Sequence, residues 1–534
     1  MKPRDLRRLG APVAIAVLLV LFWMTPIRFL EFAAGRYEPD PQHPTIPGKE
    51  KPKTGAPAGA TGDDDVGEPT PDLPAGVDQY PMPTDAKALF LIYGINNSGY
   101  IDVCGCKHKK VRQGSITRRA SFIRQMRTAH PNMLLVDGGN TFFNRDDRKV
   151  PAHQKPQLKE IAKLLVESYN RLGYRATTVG YQDFSMGLDF LKELAAAAKF
   201  PILCANLIEP ATGKLVFAPH TEFEVNGVKV GIIGVTQSTL QPYYLDMLAN
   251  GTRVTDPQEA VTRAMAELRP RNDLIIVLSQ NADEYNTKML NEVPGIDFLI
   301  DPMFQLGSSK IWIDPHELLK PFGGGHMLRA DAQGAKLGAL DLWVRSQGSP
   351  FVDRAKIESL PPSRSSFRFQ RHSMEPHLLE DPEIVQMVDA FRKGTAFVNT
   401  ELLPPLPNKE KYLTASTCQT CHQEQYDWWK GTTHSHAFAT LEKTNDQWRQ
   451  DCIGCHTLGY GQAFLAPADA KPYLDVQCEN CHGLNPEHAA DPAAHKWSRI
   501  EEVTCLSCHN ESQTRATFQF FASRKKVACP KMER

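Results

Sequence analysis

The sequence predicts an α/β sandwich followed by a mainly α, irregular C-terminal segment, with a membrane helix at the N-terminus. Three observations carry this. From residue 86 onward, short apolar runs of strand length alternate with helix-period patterns. Nine of the twelve cysteines fall after residue 410, and eight of those nine form four copies of one five-residue motif. A single long uncharged apolar stretch lies near the N-terminus, which excludes a polytopic membrane protein. The 534 residues suggest several folded units at roughly 150 residues each. Basic and acidic side chains balance at 61 each, which argues against a nucleic-acid partner. With 41% hydrophobic and 23% charged residues, the chain is not wholly disordered.

Lys2, Arg4, Arg7 and Arg8 precede an uncharged apolar core over residues 9–24. A basic stretch ahead of an apolar core is an export signal or a signal anchor. The small-residue stretch Ala33-Ala34-Gly35 lies beyond Arg28 and Glu31, too far from the core for a good cleavage site. Residues 1–35 are therefore read as an uncleaved single-pass anchor in the inner membrane, basic end in the cytoplasm and the rest facing the periplasm. Residues 36–85, with 11 prolines and 6 glycines, form a disordered tether.

The α/β domain is placed over residues 86–345. Strand runs appear at 88–93, 133–136, 228–235 and 274–278, and helical patterns at 116–127, 158–172 and 257–268. Cys204, within the strand-like run 200–205, is read as a buried small apolar residue. Five segments follow the strands in order. They are Ile95-Asn96-Asn97-Ser98-Gly99, Asp137-Gly138-Gly139-Asn140, Gly180-Tyr181-Gln182-Asp183-Phe184, Ser279-Gln280, and Asp301-Pro302-Met303-Phe304-Gln305. Their order and wording resemble the calcineurin-like metallophosphatase domain of periplasmic 5′-nucleotidases. That family runs N-D-x-H-G, D-x-G-D, G-N-H-E-F-D, a histidine after a hydrophobic strand, and G-H-x-H. The resemblance implies the metallophosphatase fold, and Gly99, Gly180 and Phe184 keep its frame. It does not carry the metal chemistry over. The family's ligand positions hold Asn96, Ser98, Asn140, Tyr181, Gln182 and Gln280, with no histidine in 301–305. Amides and hydroxyls do not supply the negative charge that two divalent cations need. A working metal-dependent nucleotidase is accordingly disfavoured. Cys104-Gly105-Cys106, followed by Lys107, His108, Lys109 and Lys110, resembles a C-G-C subgroup of the same family. Cys104 and Cys106 read either as a redox or ligand pair with lowered thiol pKa values, or as a local disulfide or idle thiols. Residues 346–408 read as a connector containing one helix, at 382–392.

The last quarter, residues 409–525 before a tail at 526–534, carries the four motifs. They are Cys418-Gln-Thr-Cys421-His422, Cys452-Ile-Gly-Cys455-His456, Cys478-Glu-Asn-Cys481-His482 and Cys505-Leu-Ser-Cys508-His509. C-x-x-C-H is the attachment motif of c-type haem, and zinc ribbons do not explain a histidine after every second cysteine. Four covalent haems c are expected, with the eight cysteines holding the porphyrins and His422, His456, His482 and His509 on the irons. So many haems in so short a segment leave little room for a protein core. Residues 409–534 contain eight histidines but only one methionine, Met532. The four histidines outside the motifs, His434, His436, His488 and His495, are therefore the candidate distal ligands. His372 and His377 in the connector are surface residues, or ligands if that arm folds over. The run Cys418 to Trp429, followed by Thr432-Thr433-His434-Ser435-His436-Ala437, resembles the cytochrome c-554 type of multihaem cytochrome over about residues 409–510. In that type one haem can remain open.

Together these features give an expectation of a membrane-anchored, periplasm-facing electron-transfer protein, partnered by other cytochromes or a quinol-side donor. Two alternatives stay open: a haem- or thiol-dependent reductase of a small nitrogen or sulfur oxidant, and the disfavoured metal-dependent nucleotidase.

Overall fold

The computed structural model describes residues 85–102, 114–143, 150–237, 252–302, 319–323, 325–345, 347–356, 364–395, 406, 409–443, 446–465, 469–497, 500–509 and 519–530. The expected anchor, nearly all of the tether, the Cys104–Cys106 pair and residues 303–305 lie outside these. Among the described residues, no helix is long and apolar enough to cross a membrane.

The strands in chain order are β1 (Lys87–Gly94), β2 (Met133–Asp137), β3 (Ala176–Thr178), β4 (Ile202–Leu203), β5 (Leu207–Ile208), β6 (His220–Val225), β7 (Val228–Thr236) and β8 (Arg253–Val254). They continue with β9 (Leu274–Gln280), β10 (Phe298–Ile300), β11 (Leu319–Phe322), β12 (Gly325–Leu328), β13 (Lys336–Val344), β14 (Phe351–Asp353) and β15 (Ser365–Ser373). The helices of this region are α1 (Ile116–Ala129), α2 (Lys155–Leu172), α3 (Leu188–Ala197), α4 (Pro257–Leu268), α5 (Asp283–Glu292) and α6 (Pro382–Thr395).

Two sheets form. One has the order β14-β15-β13-β1-β2-β3-β4, the other β11-β12-β10-β9-β7-β6. β1 to β4 run parallel, as do β7, β9, β10 and β12. Parallel strands buried on both faces read as continuous apolar runs, which is why these runs were visible in the sequence. β1 shows how two cores are fed from one strand. Leu89, Leu91 and Tyr93 point to the space between the sheets, while Phe90 and Ile92 point to the helices. The alternation follows from the two-residue period of a strand. Helices α1, α2, α3 and α6 cover the first sheet, and α4 and α5 cover the second, giving helix–sheet–sheet–helix layers. α4 illustrates the local logic. Asp256 caps it by accepting from Glu259 N at 2.8 Å, and Pro257 opens it. Ala260, Val261, Ala264, Met265 and Leu268 then turn one apolar stripe inward.

The sheet does not stop at residue 345. β15 pairs with β13 from Lys336↔Ser373 to Trp343↔Ser366, and Phe367 is buried between the sheets, edge-on to Phe298 at 5.3 Å. Ile384 and Val388 of α6 lie in the helix-side core. The connector expected over 346–408 is thus partly structural. Its strand was missed because one face is polar: Arg368 and Gln370 reach Asp341 across the ladder, at 2.8 and 2.7 Å. His372, for the same reason, is not on an arm but in β15, tilted against Phe122 at 4.8 Å.

The C-terminal segment is built from short helices: α7 (Ala415–Gln419), α8 (Gln423–Lys430), α9 (Ala437–Glu442), α10 (Gln450–His456), α11 (Cys478–His482), α12 (Pro486–Ala490), α13 (Glu502–Leu506) and α14 (Phe520–Val527). Its apolar cluster is small, centred on Ile453, Phe464 and Ala470. α14 runs across the expected boundary at residue 525.

Candidate functional site

The loops that leave the carboxyl ends of β1, β2, β3, β9 and β10 converge, the usual ligand position of an open parallel sheet. The backbone ties them together. Asn96 N donates to Gly139 O at 2.9 Å, Ser98 N to Asn140 O at 2.8 Å and Gly99 N to Thr141 O at 3.0 Å. Asn96, Ser98 and Asn140 adopt left-handed φ values of 48°, 53° and 50°. Non-glycine residues held there cost on the order of 1 kcal/mol each, and such strain collects at ligand sites. Gly180 has no freedom to change: a Cβ there would meet Asn140 Oδ1 at 2.0 Å.

The side chains at the family's metal positions bond one another. Gln280 Nε2 donates to Gly138 O at 2.6 Å and to Asn96 Oδ1 at 3.2 Å, and Asn96 Nδ2 donates to Pro302 O at 3.1 Å. Asn140 Oδ1 accepts from Gln182 N at 3.0 Å, and Ser98 Oγ lies 3.5 Å from Gln182 Oε1. Two buried carboxylates stand behind this layer and are spoken for. Asp137 accepts from Gly139 N at 2.9 Å, Thr141 Oγ1 at 2.8 Å and Tyr169 OH at 2.9 Å. Asp183 accepts from Phe142 N and Gly180 N, both at 2.9 Å. Burial pushes the Asp183 carboxyl up to about 7 against those two bonds. Among the described residues no three of His, Cys, Asp and Glu gather to hold a metal. The donor set present here, neutral amides already paired, does not fit two divalent cations.

Sequence reasoning missed Arg119. It is buried on α1 and its guanidinium donates to Asn97 Oδ1 at 2.7 Å, bracing the first loop from behind. The signal was there: a charge on the apolar face of a helical pattern. Cys204 is fully buried and its thiol is pushed up to about 12, an inert packing residue.

In the C-terminal segment the motif geometry is helical. α10 holds Cys452, Cys455 and His456, and α11 holds Cys478, Cys481 and His482, so the three side chains of each motif share a face. Cysteines of different motifs meet. The thiols of Cys418 and Cys478 hydrogen-bond, as do those of Cys508 and Cys455. The bond lowers Cys418 to about 7 and Cys508 to about 6, and raises Cys478. Two histidines outside the motifs face motif histidines. The rings of His422 and His488 lie near-parallel, 19° apart, with centroids 6.0 Å apart, and those of His434 and His509 lie 6.1 Å apart. Burial and the nearby His509 both lower the His434 pKa. His488 Nδ1 lies 2.6 Å from the His495 carbonyl, and His456 Nδ1 lies 2.7 Å from the Ala437 carbonyl. Each contact fixes one ring nitrogen as the donor and leaves Nε2 for a ligand. His436 is placed differently, its Nδ1 3.1 Å from Thr432 O in its own turn. The His495 side chain is exposed, and its contribution is the carbonyl just described.

The family described as "Cytochrome c554 and c-prime" matches residues 417–483. A 2′,3′-cyclic-nucleotide 2′-phosphodiesterase/3′-nucleotidase of Yersinia enterocolitica is 24% identical over 349 residues, covering 60% of this chain and 52% of that protein. A 5′-nucleotidase of Vibrio cholerae is 29% identical over 168 residues, covering 31% of this chain and 28% of its own length. Among solved structures, the calcineurin-like phosphoesterase YfkN of Bacillus subtilis aligns with a TM-score of 0.45 at 19% identity, over 58% of this chain and 98% of that one. The chain spans about half the length of the first-named curated relative. These extents correct the expectation that the molecule as a whole is an electron-transfer cytochrome. The likeness to nucleotide phosphoesterases covers 60% of the chain, whereas the cytochrome match is confined to residues 417–483. The correction favours the nucleotidase side of the alternatives. Four complete C-x-x-C-H motifs outweighed, in that expectation, a metallophosphatase frame whose ligand positions are substituted. The chain is a fusion, in which a cytochrome c554-type segment follows a larger α/β domain related to the 5′-nucleotidases and cyclic-nucleotide phosphodiesterases.

Proposed function

We propose that the α/β domain recognises a phosphate ester of the nucleotide class and that the C-terminal segment holds haem c covalently, four by motif count. The observation that carries the first part is a coincidence of place. The sequence likeness to nucleotide phosphoesterases covers 60% of the chain, and the strand ends of the α/β domain gather Asn96, Ser98 and Asn140, all in left-handed backbone, with Gln280 bonded to Asn96. Amide and hydroxyl groups there can exchange their mutual bonds for bonds to ester and sugar oxygens. Hydrolysis by a metal-bound water has no ligand set among these residues, so the proposal is recognition of the ester. The test is equilibrium binding of AMP and of 2′,3′-cyclic AMP to the full chain, with hydrolysis followed with and without added Mn²⁺. Saturable binding and no metal-dependent turnover are expected. Failure of both nucleotides to bind would sink the reading, and brisk Mn²⁺-dependent turnover would reveal a ligand set outside these residues.

For the second part, the support is the ring spacing. Where haem is bound, these paired imidazoles would be the side chains to hold its iron. His488 is thereby the candidate partner of His422, and His434 that of His509. Haem held between two imidazoles supplies a low-potential iron couple. A pyridine haemochrome assay should return four haems per chain, and two or fewer would refute the count. The basic and apolar pattern of residues 1–35 supports export and anchoring at the inner membrane, facing the periplasm. Replacing that stretch by a cleavable signal should yield a soluble protein, and continued pelleting with membranes would move the anchor elsewhere.

A further inference from the structure

Two arginines, Arg119 and Arg329, are buried beside the strand-end site, at 1% and 2% exposure. A charge taken out of water is costly unless it is paired and hydrogen-bonded, so each calls for a reason. Arg119, on α1, belongs to a closed ring of bonds. Its Nη2 donates to Asn97 Oδ1 at 2.7 Å, and its Nη1 lies 3.5 Å from Tyr169 OH. Tyr169, on α2, donates to Asp137 Oδ2 at 2.9 Å. Thr141 Oγ1 donates to Asp137 Oδ1 at 2.8 Å, and Asn97 Nδ2 donates to Thr141 O at 3.2 Å, which closes the ring. All five residues are buried. Burial and the Asp137 charge raise the Tyr169 hydroxyl well above its ordinary value, so it stays a donor between guanidinium and carboxylate. The turn between β12 and β13 closes over the Arg119–Asn97 bond. Gln333 N donates to Asn96 O at 2.8 Å, and a Cβ on Gly334, whose φ is 65°, would sit 3.2 Å from both Arg119 Cζ and Asn97 Oδ1.

Arg329, just after β12, plays the same part on the second sheet. Its Nε donates to Asp301 Oδ2 at 2.6 Å, and its Nη2 to Asp283 at the start of α5. Asn286 of α5 donates from Nδ2 to Asp301 Oδ1 at 2.5 Å, and its Oδ1 accepts from Ser279 Oγ at 2.6 Å. The ends of β9, β10 and β12 and the start of α5 are joined in this way. In a two-metal site each cation is itself a cross-link, because its ligands come from several loops. Here the ligand positions hold neutral side chains, and the loops are cross-linked by charge-assisted bonds from within the protein.

We infer that Arg119 and Arg329 are positioning residues that order the strand-end site without a metal. Arg119 ties the loop after β1 to the loop after β2, and Arg329 ties β10 to α5. They take over the cross-linking that a pair of cations would provide, not its chemistry, and leave Asn96, Ser98, Asn140 and Gln280 in a fixed array. For its ligand this rests on the ester-recognition reading above, to which it adds what holds the site in shape.

The experiment reads loop order and ligand binding separately, on full-length, haem-loaded protein. The amides of Asn96, Ser98 and Gly99 bond the loop after β2, so their hydrogen exchange reports loop order with no ligand present. That exchange, and the affinity for AMP by calorimetry, should be unchanged by EDTA and by added Mn²⁺. Arg119→Met should speed the exchange and weaken AMP about tenfold each, the loss of one charge-assisted hydrogen bond, and Arg119→Lys should restore part of both. Tyr169→Phe, which removes only the joining hydroxyl, should give about a threefold effect and serves where Arg119→Met does not fold. Arg329→Met should speed exchange at the Asp301 amide, which bonds Leu328 O at 2.9 Å, with Arg329→Lys as its milder partner. Faster exchange in EDTA-treated native protein, reversed by Mn²⁺, overturns the inference. So does native exchange in the folded variants, or native AMP affinity in a variant whose exchange has risen. Failure of the native protein to bind AMP, with exchange behaving as expected, sinks the recognition reading alone and leaves the metal-free ordering of the loops standing.

Discussion

The residues with the most chemical information are those whose pairing is unusual. Gln280 and Asn96 occupy positions where the related enzymes are expected to carry charge, and they spend their amides on each other and on the backbone. His434 and His488 are informative because the ring of each lies about 6 Å from that of a motif histidine. Changing either to alanine should convert one low-spin haem to high-spin while the haem content stays near four, as read by EPR. Unchanged spectra in both variants would remove these ligand assignments. His326 is informative in another way. Its ring lies against Phe298 and Phe367, at 5.7 and 4.7 Å, and burial pushes the imidazole down to about 4. The unfolded chain then binds the proton first, so the stabilisation is complete above about 6.5 and is lost as pH falls toward 4. Asp297, raised to about 6 by burial, runs the other way and loses its contribution as pH rises from 3.8. Comparing native protein with His326→Gln isolates the histidine. The variant's unfolding free energy should fall less between pH 6.5 and 4, by up to about 3 kcal/mol in denaturant titrations.

At the scale of elements, β15 and α6 decide where the α/β domain ends. β15 completes one edge of the first sheet beside β13 and puts Phe367 between the sheets, while α6 buries Ile384 and Val388 over the helix-side core. Losing a buried phenylalanine alone costs about 3–5 kcal/mol, and a whole strand more. A fragment of residues 86–345 should therefore be insoluble or molten, whereas residues 86–395 should fold cooperatively by circular dichroism. Equal behaviour of the two fragments would show that β15 and α6 are dispensable. α10 links the two halves of the molecule. Its first residue, Gln450, is held by Gln157 of α2, and its last, His456, ends the second C-x-x-C-H motif.

At the scale of the whole molecule the two parts are held together by different means. Among the described residues the α/β domain has three extensive apolar clusters, two of them flanking the first sheet. Among the described residues the C-terminal segment has one small cluster and exposes Val503, Leu506 and Phe521. Protein produced without haem maturation should lose residues 409–534 to limited proteolysis while a fragment near residues 86–395 survives. Equal resistance of both parts would mean that the segment folds on its own.

The sequence alone determined the four motifs, the count of spare histidines, the strand and helix runs of the α/β domain and the absence of metal ligands at its strand ends. Each of these is written in local spacing: a two-residue strand period, a three-residue cysteine gap, or a named residue after a strand. The tertiary structure decided what depends on meeting at long range. β15 was hidden because its outward face is polar and only its partner Asp341 explains that polarity. The approach of the His488 ring to His422 and of the His434 ring to His509 joins residues more than sixty positions apart, which no spacing rule fixes. The hold of Gln157 on Gln450 depends on how one part of the chain is seated on another, a relation set by side-chain packing across the junction.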